Sequence, residues 1–272
     1  MLRPDPFSFP PFRGEIAAEY DRPEIRGLLA GLDARLAGPD AAVIYKGRNT
    51  VTAIRFAASD GSIRGIAVKE FRLLGLTRLK TLFAASKARR AWIGARALIE
   101  AGLLTAVPVA YGEVRRRGLA DRAVFLAERL GEGTEIRELF RDRPADVLRP
   151  VLAGLARAIR RGHDRGVLHR DLSDGNVLVA GGEGGEFRFY FLDTNRVRRK
   201  RRIGHFARAK NLIRLGVPPD LRRDFLRSYA GQAGLRSSFV FFYARTKAFF
   251  EGWLRLKKLM RLRRWARRLK IQ

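Results

Sequence analysis

The sequence predicts an α+β protein of two lobes, with a β-rich first half built around one helix and a mainly helical second half. Three observations carry this. Short apolar or alternating runs separated by turn residues fill 42–71 and return at 106–130, as expected for a sheet of short strands. Between them, Ser86 to Ala101 places apolar residues at i, i+3 and i+4, the helical period. Beyond residue 131 helical periodicity dominates, broken by one strand-turn-strand pattern at 177–192. At 272 residues the chain can form one two-lobed unit or two small domains. The expected division is an accessory segment at 1–40, a first lobe at 41–130 and a second at 131–272.

In chain order, residues 1–40 are punctuated by Pro and Gly and hold a short helical stretch around Arg22 to Leu36. Ala42 to Tyr45, Val51 to Ala57 and Ser62 to Phe71 read as a β-meander, with turns at Lys46-Gly47-Arg48-Asn49 and Ser59-Asp60-Gly61. The first turn can offer backbone N–H groups to an anion, with Asn49 and Thr50 as added donors, or simply close a hairpin. Lys69 ends the third strand beside Ala67 and Val68. A lysine whose stem is buried there calls for an anionic partner; an edge-strand lysine that discourages aggregation is the alternative. Ser86 is placed to cap the following helix and Gly102 to end it. Ala106 to Tyr111 and Arg122 to Leu130 continue the sheet, and Glu128-Arg129-Leu130-Gly131 reads as a connector between lobes. Asp146 to Arg165 forms a second amphipathic helix, whose stripe of Leu148, Val151, Leu152, Leu155 and Ile159 is core.

That helix delivers the chain to Leu168-His169-Arg170-Asp171-Leu172-Ser173-Asp174-Gly175-Asn176-Val177-Leu178-Val179, and a second carboxylate, Asp193, closes the apolar run Phe191-Leu192. The set reads as a phosphoryl-transfer site. Moving a γ-phosphoryl group requires divalent metal to neutralise oxygens and one carboxylate near the attacking hydroxyl. Asp171 is the candidate for that carboxylate, and Asn176, five residues on, can bring an amide oxygen to the metal. Val177 to Ala180 and Phe187 to Leu192 flank the glycine-rich Gly181-Gly182-Glu183-Gly184-Gly185, so a hairpin returns Asp193, the candidate anionic metal ligand, toward Asn176.

Composition narrows the class. The absence of cysteine removes disulfides, thiolate catalysis and zinc-thiolate sites and fits a reducing compartment, while His163, His169 and His205 are too scattered for a metal cluster. The first residues lack the apolar core of a signal peptide, and no run approaches the roughly 18 apolar residues of a spanning helix, so a soluble or surface-bound cytoplasmic protein is expected. The net charge is +29, and from Arg196 onward 24 Lys and Arg face three acids. A polyanionic partner is implied, which electrostatics alone leaves as either nucleic acid or anionic lipid. Arg245 to Lys270 interleaves eleven basic residues with Phe249, Phe250, Trp253, Leu256, Leu259, Met260, Leu262 and Trp265. It reads as a basic amphipathic segment with interfacial aromatics, or as a docked terminal helix with a solvated basic face.

Lys69 after a meander, a connector near Glu128, His169-Arg170-Asp171 to Asn176, and Asp193 together resemble the protein-kinase-like superfamily over about residues 42–215. Ser173 stands where serine/threonine protein kinases place a lysine, and no Ala-Pro-Glu-like segment follows Asp193, which disfavours a protein substrate. More narrowly, Tyr45-Lys46-Gly47-Arg48-Asn49-Thr50-Val51, Val68-Lys69-Glu70-Phe71, Ser86 to Gly102, Asp171-Leu172-Ser173-Asp174-Gly175-Asn176 and Asp193-Thr194-Asn195-Arg196 resemble the lipopolysaccharide kinases that act on Kdo or heptose of the inner core. The resemblance implies ATP, Mg2+ and a sugar hydroxyl acceptor on a lipid anchored at the cytoplasmic face of a bacterial inner membrane. It assigns Asp171 to catalysis, Asn176 and Asp193 to the metal, Lys69 to the nucleotide phosphates, Lys46, Gly47, Asn49 and Thr50 to covering them, and the backbone at Glu128 to the adenine edge. It makes nucleic acid an unlikely partner and anionic membrane the expected one. Two departures stand out. Asp193-Thr194-Asn195 replaces Asp-Phe-Gly, and the helix at 86–101 lacks the mid-helix glutamate that pairs with the strand-three lysine in kinases. Either Glu100 or another carboxylate reaches Lys69, or the ion pair is absent. Two rival readings are a soluble phosphotransferase acting on an aminoglycoside-like alcohol and a catalytically silent pseudokinase that binds membrane or nucleic acid.

Overall fold

A computed structural model of the chain describes residues 5–57, 63–181 and 186–268. The expected turn at Ser59-Asp60-Gly61 and most of the 181–185 glycine run lie outside the described residues, as do the side chains beyond Met260. The chain divides into two compact units, Met1–Thr134 with Leu178–Arg199, and Glu135–Val177 with Lys200–Gln272.

The first unit is built on a seven-stranded sheet of β1 (Asp5–Phe9), β2 (Phe12–Ile16), β3 (Ala41–Lys46), β4 (Asn49–Ala57), β5 (Ile63–Phe71), β6 (Pro108–Arg116) and β7 (Leu119–Glu128), in the order β1-β2-β6-β7-β5-β4-β3. Neighbouring strands run antiparallel. The meander is as expected; β1 and β2 are not foreshadowed by any alternation in the sequence, and β2 joins the sheet beside β6. Side chains alternate between two faces with the period of a strand. One face carries Ile16, Ile54, Ile66, Val68, Val124 and Leu126 and is covered by Ile25, Leu28, Leu29 and Leu32 of α1 (Pro23–Ala30) and α2 (Leu32–Ala37). The other carries Phe71, Tyr111, Ala123, Phe125 and Ala127 and is covered by Ala88, Ala91, Trp92 and Ala95 of α4 (Lys87–Glu100), which follows the short α3 (Leu76–Leu79). Small residues along α4 let the helix sit close to the sheet, with Trp92 filling the gap against Tyr111 at 5.9 Å between ring centres. Ser86 caps α4 by accepting the Arg89 N–H at 3.1 Å, and Gly102, at φ +65°, turns the chain out of it. After the two-residue β8 (Thr134–Glu135) and α5 (Ile136–Asp142), α6 (Ala145–Asp164) and β9 (Val167–His169) belong to the second unit. The hairpin of β10 (Val177–Gly181) and β11 (Phe187–Phe191) and then β12 (Val197–Arg199) return to the first.

The second unit is helical. Leu148, Val151, Leu152, Leu155 and Ile159 of α6 are buried, as their spacing predicts, with Phe225, Leu226 and Tyr229 of α8 (Arg222–Ala230) and Ala209 and Leu212 of α7 (His205–Leu212) adding to the core. The terminal helix α9 spans Ser237–Arg268 and begins eight residues before the basic segment that the sequence marks. Its buried positions Phe239, Tyr243 and Lys247 follow one another at i+4, and every residue from Gly252 to Met260 is exposed. Apolar and basic side chains are only weakly sorted onto opposite faces along its length. No described helix is long and apolar enough to cross a membrane.

Candidate active site

In the first unit, alternation along β5 puts Lys69 on the same face as Phe71, beneath α4, where its ammonium lies 5.4 Å from the Phe71 ring centre. Lys69 Nζ pairs with Asp193 Oδ1 at 2.6 Å, and both side chains are about three-quarters buried. The partner that the missing mid-helix glutamate leaves open is therefore Asp193. Glu100 is engaged elsewhere, with Arg199. The same Asp193 oxygen accepts a hydrogen bond from Asn195 Nδ2 at 3.1 Å.

Local packing sets the Asp193 turn against α4. Asp193 has a left-handed backbone, φ 53° and ψ 49°, which Asp tolerates better than most residues, and the chain then turns through Thr194-Asn195-Arg196 against α4. Buried Thr194 donates its hydroxyl to the Ala91 carbonyl at 2.8 Å. A Cβ on Gly94 would overlap the Thr194 carbonyl oxygen and crowd Val197. The middle of α4 is thus pressed against backbone. Cations crowd this region: Lys87 is held below its ordinary pKa by burial and by Arg90, Arg48 and Arg196, with Asp193 pulling the other way. Arg90 is likewise lowered by burial and by Arg198 and Arg196.

In the second unit, the loop after β9 folds on itself. Asn176 Nδ2 donates to the Asp171 carbonyl at 2.8 Å, the Ser173 N–H to the same carbonyl at 2.8 Å, and the Asn176 N–H to the Ser173 carbonyl at 2.9 Å, while Leu172 is buried beneath. These bonds hold the Asn176 amide nitrogen on the Asp171 backbone carbonyl through one short turn. The Asp171 carboxylate pairs with Arg214 at 3.1 Å. A buried polar chain holds the loop from behind: Asn211 Nδ2 donates to the His169 carbonyl at 2.7 Å, leaving its Oδ1 to accept from His163 Nε2 at 2.9 Å. That tautomer, assigned from the network, lets His163 Nδ1 accept from the Tyr229 hydroxyl at 2.7 Å. Burial above all, and the Arg208 charge, lower the His163 pKa to about 4, against the smaller upward pull of Asn211.

The segment Val68 to Phe225, more than half of the chain, matches the lipopolysaccharide kinase (Kdo/WaaP) family. The chain belongs to that family. It is also similar to a solved structure described as WaaP in complex with acyl carrier protein, with 23% identity and a TM-score of 0.56, covering 84% of this chain and 96% of that one. At that identity the likeness concerns the fold, and it agrees with the two-lobed kinase-like class read from the sequence. No curated protein sequence matches the chain.

The remaining expected residues of this family member fall as follows. Lys46, Gly47, Asn49 and Thr50 form the β3-β4 turn, where the Gly47 N–H donates to the Asn49 carbonyl at 3.1 Å and Lys46 faces Thr50 across the ladder. Arg48, on the same turn, is close enough to Lys87 to depress its pKa. Glu128 ends β7 opposite Ile66, on the face away from Lys69, and its carboxylate accepts the Tyr20 hydroxyl at 2.6 Å. The Glu128 N–H is taken by the Val107 carbonyl at 2.8 Å. Sequence reasoning did not single out Arg214, Lys87, Gly94 or Asn211. Lys247 is another. Nearly inaccessible, it donates to the carbonyls of Ile213 at 2.8 Å and Leu215 at 2.6 Å, rooting α9 on the segment that carries Arg214.

Proposed function

We propose that this lipopolysaccharide kinase transfers the γ-phosphoryl group of ATP to a Kdo or heptose hydroxyl of the inner core, working at the cytoplasmic face of the inner membrane. The observation that carries the reading is the Lys69–Asp193 pair in cation-rich surroundings. Each member of the pair neutralises the other in the absence of ligand. Mg-ATP offers both a better partner, phosphate oxygens to Lys69 and a divalent cation to Asp193. Lys87, Arg48 and Arg90 favour the same polyanion, with Lys46, Gly47, Asn49 and Thr50 covering its phosphates. The backbone at Glu128, whose N–H is taken by the Val107 carbonyl, faces the adenine edge in this reading.

Among the described residues no cluster of three or more His, Asp or Glu side chains gathers as a metal cage. Magnesium in kinases relies on a carboxylate, an amide oxygen and the phosphates themselves, and Asp193 and Asn176 are hard oxygen donors of that kind. They would hold the ion, which neutralises charge on the transferring group when bound. The Asn176 bond to the Asp171 carbonyl uses the amide nitrogen, leaving the oxygen as a donor to metal. Asp171 orients the acceptor hydroxyl and accepts its proton. Loading the acceptor displaces Arg214 from that carboxylate. The exposed stretch Gly252 to Met260 of α9, with Arg255, Lys257 and Lys258, serves as the anionic-membrane contact.

Incubation of the purified chain with Mg-ATP and purified lipopolysaccharide, read by mass spectrometry of the released core, tests the reading. One added phosphate on an inner-core sugar is expected. Turnover only on a water-soluble amino alcohol, or none on any acceptor, overturns it. In parallel, Asp193→Ala is expected to remove the magnesium dependence of ATP binding in calorimetry.

A further inference from the structure

The loop between β5 and α4 carries a surface that the active site does not use. Within Leu74 to Phe83, five large apolar side chains stand in solvent: Leu74, Leu76 (75% exposed), Leu79, Leu82 and Phe83 (91% exposed). Such a concentration on a soluble surface calls for a partner. The loop is built rather than loose. Leu73 anchors it in the core beneath α4, and buried Thr81 donates its hydroxyl to the Arg78 carbonyl at 2.6 Å while accepting the Ala120 N–H at 2.9 Å. Arg78 pairs with Asp121 at 2.5 Å, and Arg115 reaches the Thr81 carbonyl at 3.3 Å and that of Gly118 at 2.8 Å. The β6-β7 turn alongside has positive φ at both Arg117 and Gly118, a two-residue geometry that fits a tight hairpin and leaves Arg116 and Arg117 exposed. Arg72 and Lys80 are exposed on the loop itself.

We infer that this loop is a membrane wedge that seats its apolar tip in the acyl boundary of an anionic bilayer, with Arg72, Lys80, Arg116 and Arg117 at the headgroup level. Charge selects the occupant. Four exposed cations beside five exposed apolar residues match a surface that is apolar within and anionic at its rim, and long basic side chains can remain in the headgroups while their neighbours insert. The inference rests on the reading that the acceptor is held in a membrane, but it stands on residues of the first unit and is independent of α9.

Because the chain has no cysteine, Phe83→Cys gives a unique position for an environment-sensitive dye at an exposed site, and Met260→Cys does the same on α9. With vesicles of phosphatidylethanolamine and phosphatidylglycerol, the dye at position 83 is expected to shift blue and brighten several-fold, and to be quenched by lipid-borne spin labels. Phosphatidylcholine alone should give little change. A response at 260 without one at 83 overturns the wedge and keeps α9 as the membrane contact; the reverse keeps the wedge and discards α9. The same blue shift produced without lipid, by concentrating the protein or by adding an acidic protein, overturns the inference in favour of a second copy or a protein partner. As a second measurement, Leu76→Ser with Phe83→Ser should lower vesicle flotation in high salt by about tenfold while melting is unchanged, since apolar insertion persists when electrostatic attraction is screened. Unchanged flotation counts against the wedge. Failure of the phosphorylation assay with the dye response intact would remove the proposed reaction and leave the wedge standing.

Discussion

The two loops that carry Asp193 and Asp171 are held in place by different physics. Asp193 is positioned by close packing: Gly94 admits the Thr194 backbone against α4, and one threonine hydroxyl fixes the turn to the Ala91 carbonyl. Asp171 is positioned by a buried polar relay, in which Tyr229, His163 and Asn211 pass hydrogen bonds inward to the His169 carbonyl. Packing fails through volume. A polar relay fails through protonation, because a buried histidine whose two nitrogens are both committed has no acceptor left when it gains a proton. The first loop should therefore be sensitive to a methyl group and indifferent to acid, and the second the reverse.

The largest effect expected is on chemistry. If, as proposed, the carboxylate acts on the acceptor hydroxyl, Asp171→Asn should lower turnover on lipopolysaccharide by about 10³-fold while ATP affinity stays near that of the parent. A loss smaller than about tenfold removes Asp171 from the mechanism.

Next is the relay. The folded-state pKa of His163, about 4, lies below the ordinary value of 6.5, so between them the unfolded chain binds the extra proton. Stability is fully present above about pH 6.5 and declines as pH falls toward 4, by up to about 3 kcal/mol. Denaturant unfolding across that range should show the slope, and His163→Gln should flatten it. Hydrogen exchange at pH 5 is expected to rise first in residues 169–176, with α4 and residues 194–196 still protected. Uniform exchange through both loops would erase the distinction.

Gly94→Ala probes the packed loop. The added methyl meets a carbonyl oxygen, and overpacking of this kind should cost about 2 kcal/mol at every pH and weaken Mg-ATP binding by displacing Asp193. Parent-like melting and affinity would show that the α4 contact is not what sets Asp193. The smallest effect is assigned to Arg214→Gln. Arg214 is 42% exposed, and pairs of that kind contribute under about 1 kcal/mol, so turnover should change less than about fivefold.

Much of this was legible in the sequence because it is local. Asp171 and Asn176 are five residues apart and their contact follows from one tight turn; Ser86 and Gly102 delimit α4 through capping chemistry that needs no tertiary context. The meander and the α6 stripe announce themselves by period. What was not legible depends on distant partners. Lys69 and Asp193 are 124 residues apart, and the absence of a glutamate in α4 left their pairing one option among three. Gly94 looks like an ordinary weak point in a helix until Thr194 is set against it. The strands at 5–16 carry Pro6, Pro10 and Pro11 and only short apolar runs, so their place in the sheet comes from β6. Arg214 was one arginine among many in a strongly basic tail, and composition cannot single out the one that meets a carboxylate.

Lys247 ties two of these findings together. Its ammonium grips the carbonyls of Ile213 and Leu215, the residues on either side of Arg214, whose guanidinium rests on Asp171. The long terminal helix is thus a lever whose fulcrum lies two non-covalent contacts, by way of Arg214, from the Asp171 carboxylate, with its outer arm in solvent from Gly252 to Met260. Deleting α9 to probe the proposed membrane contact would also release the fulcrum, so lost activity in such a truncation would not report on lipid. Cutting after Glu251 keeps the fulcrum and removes only the arm.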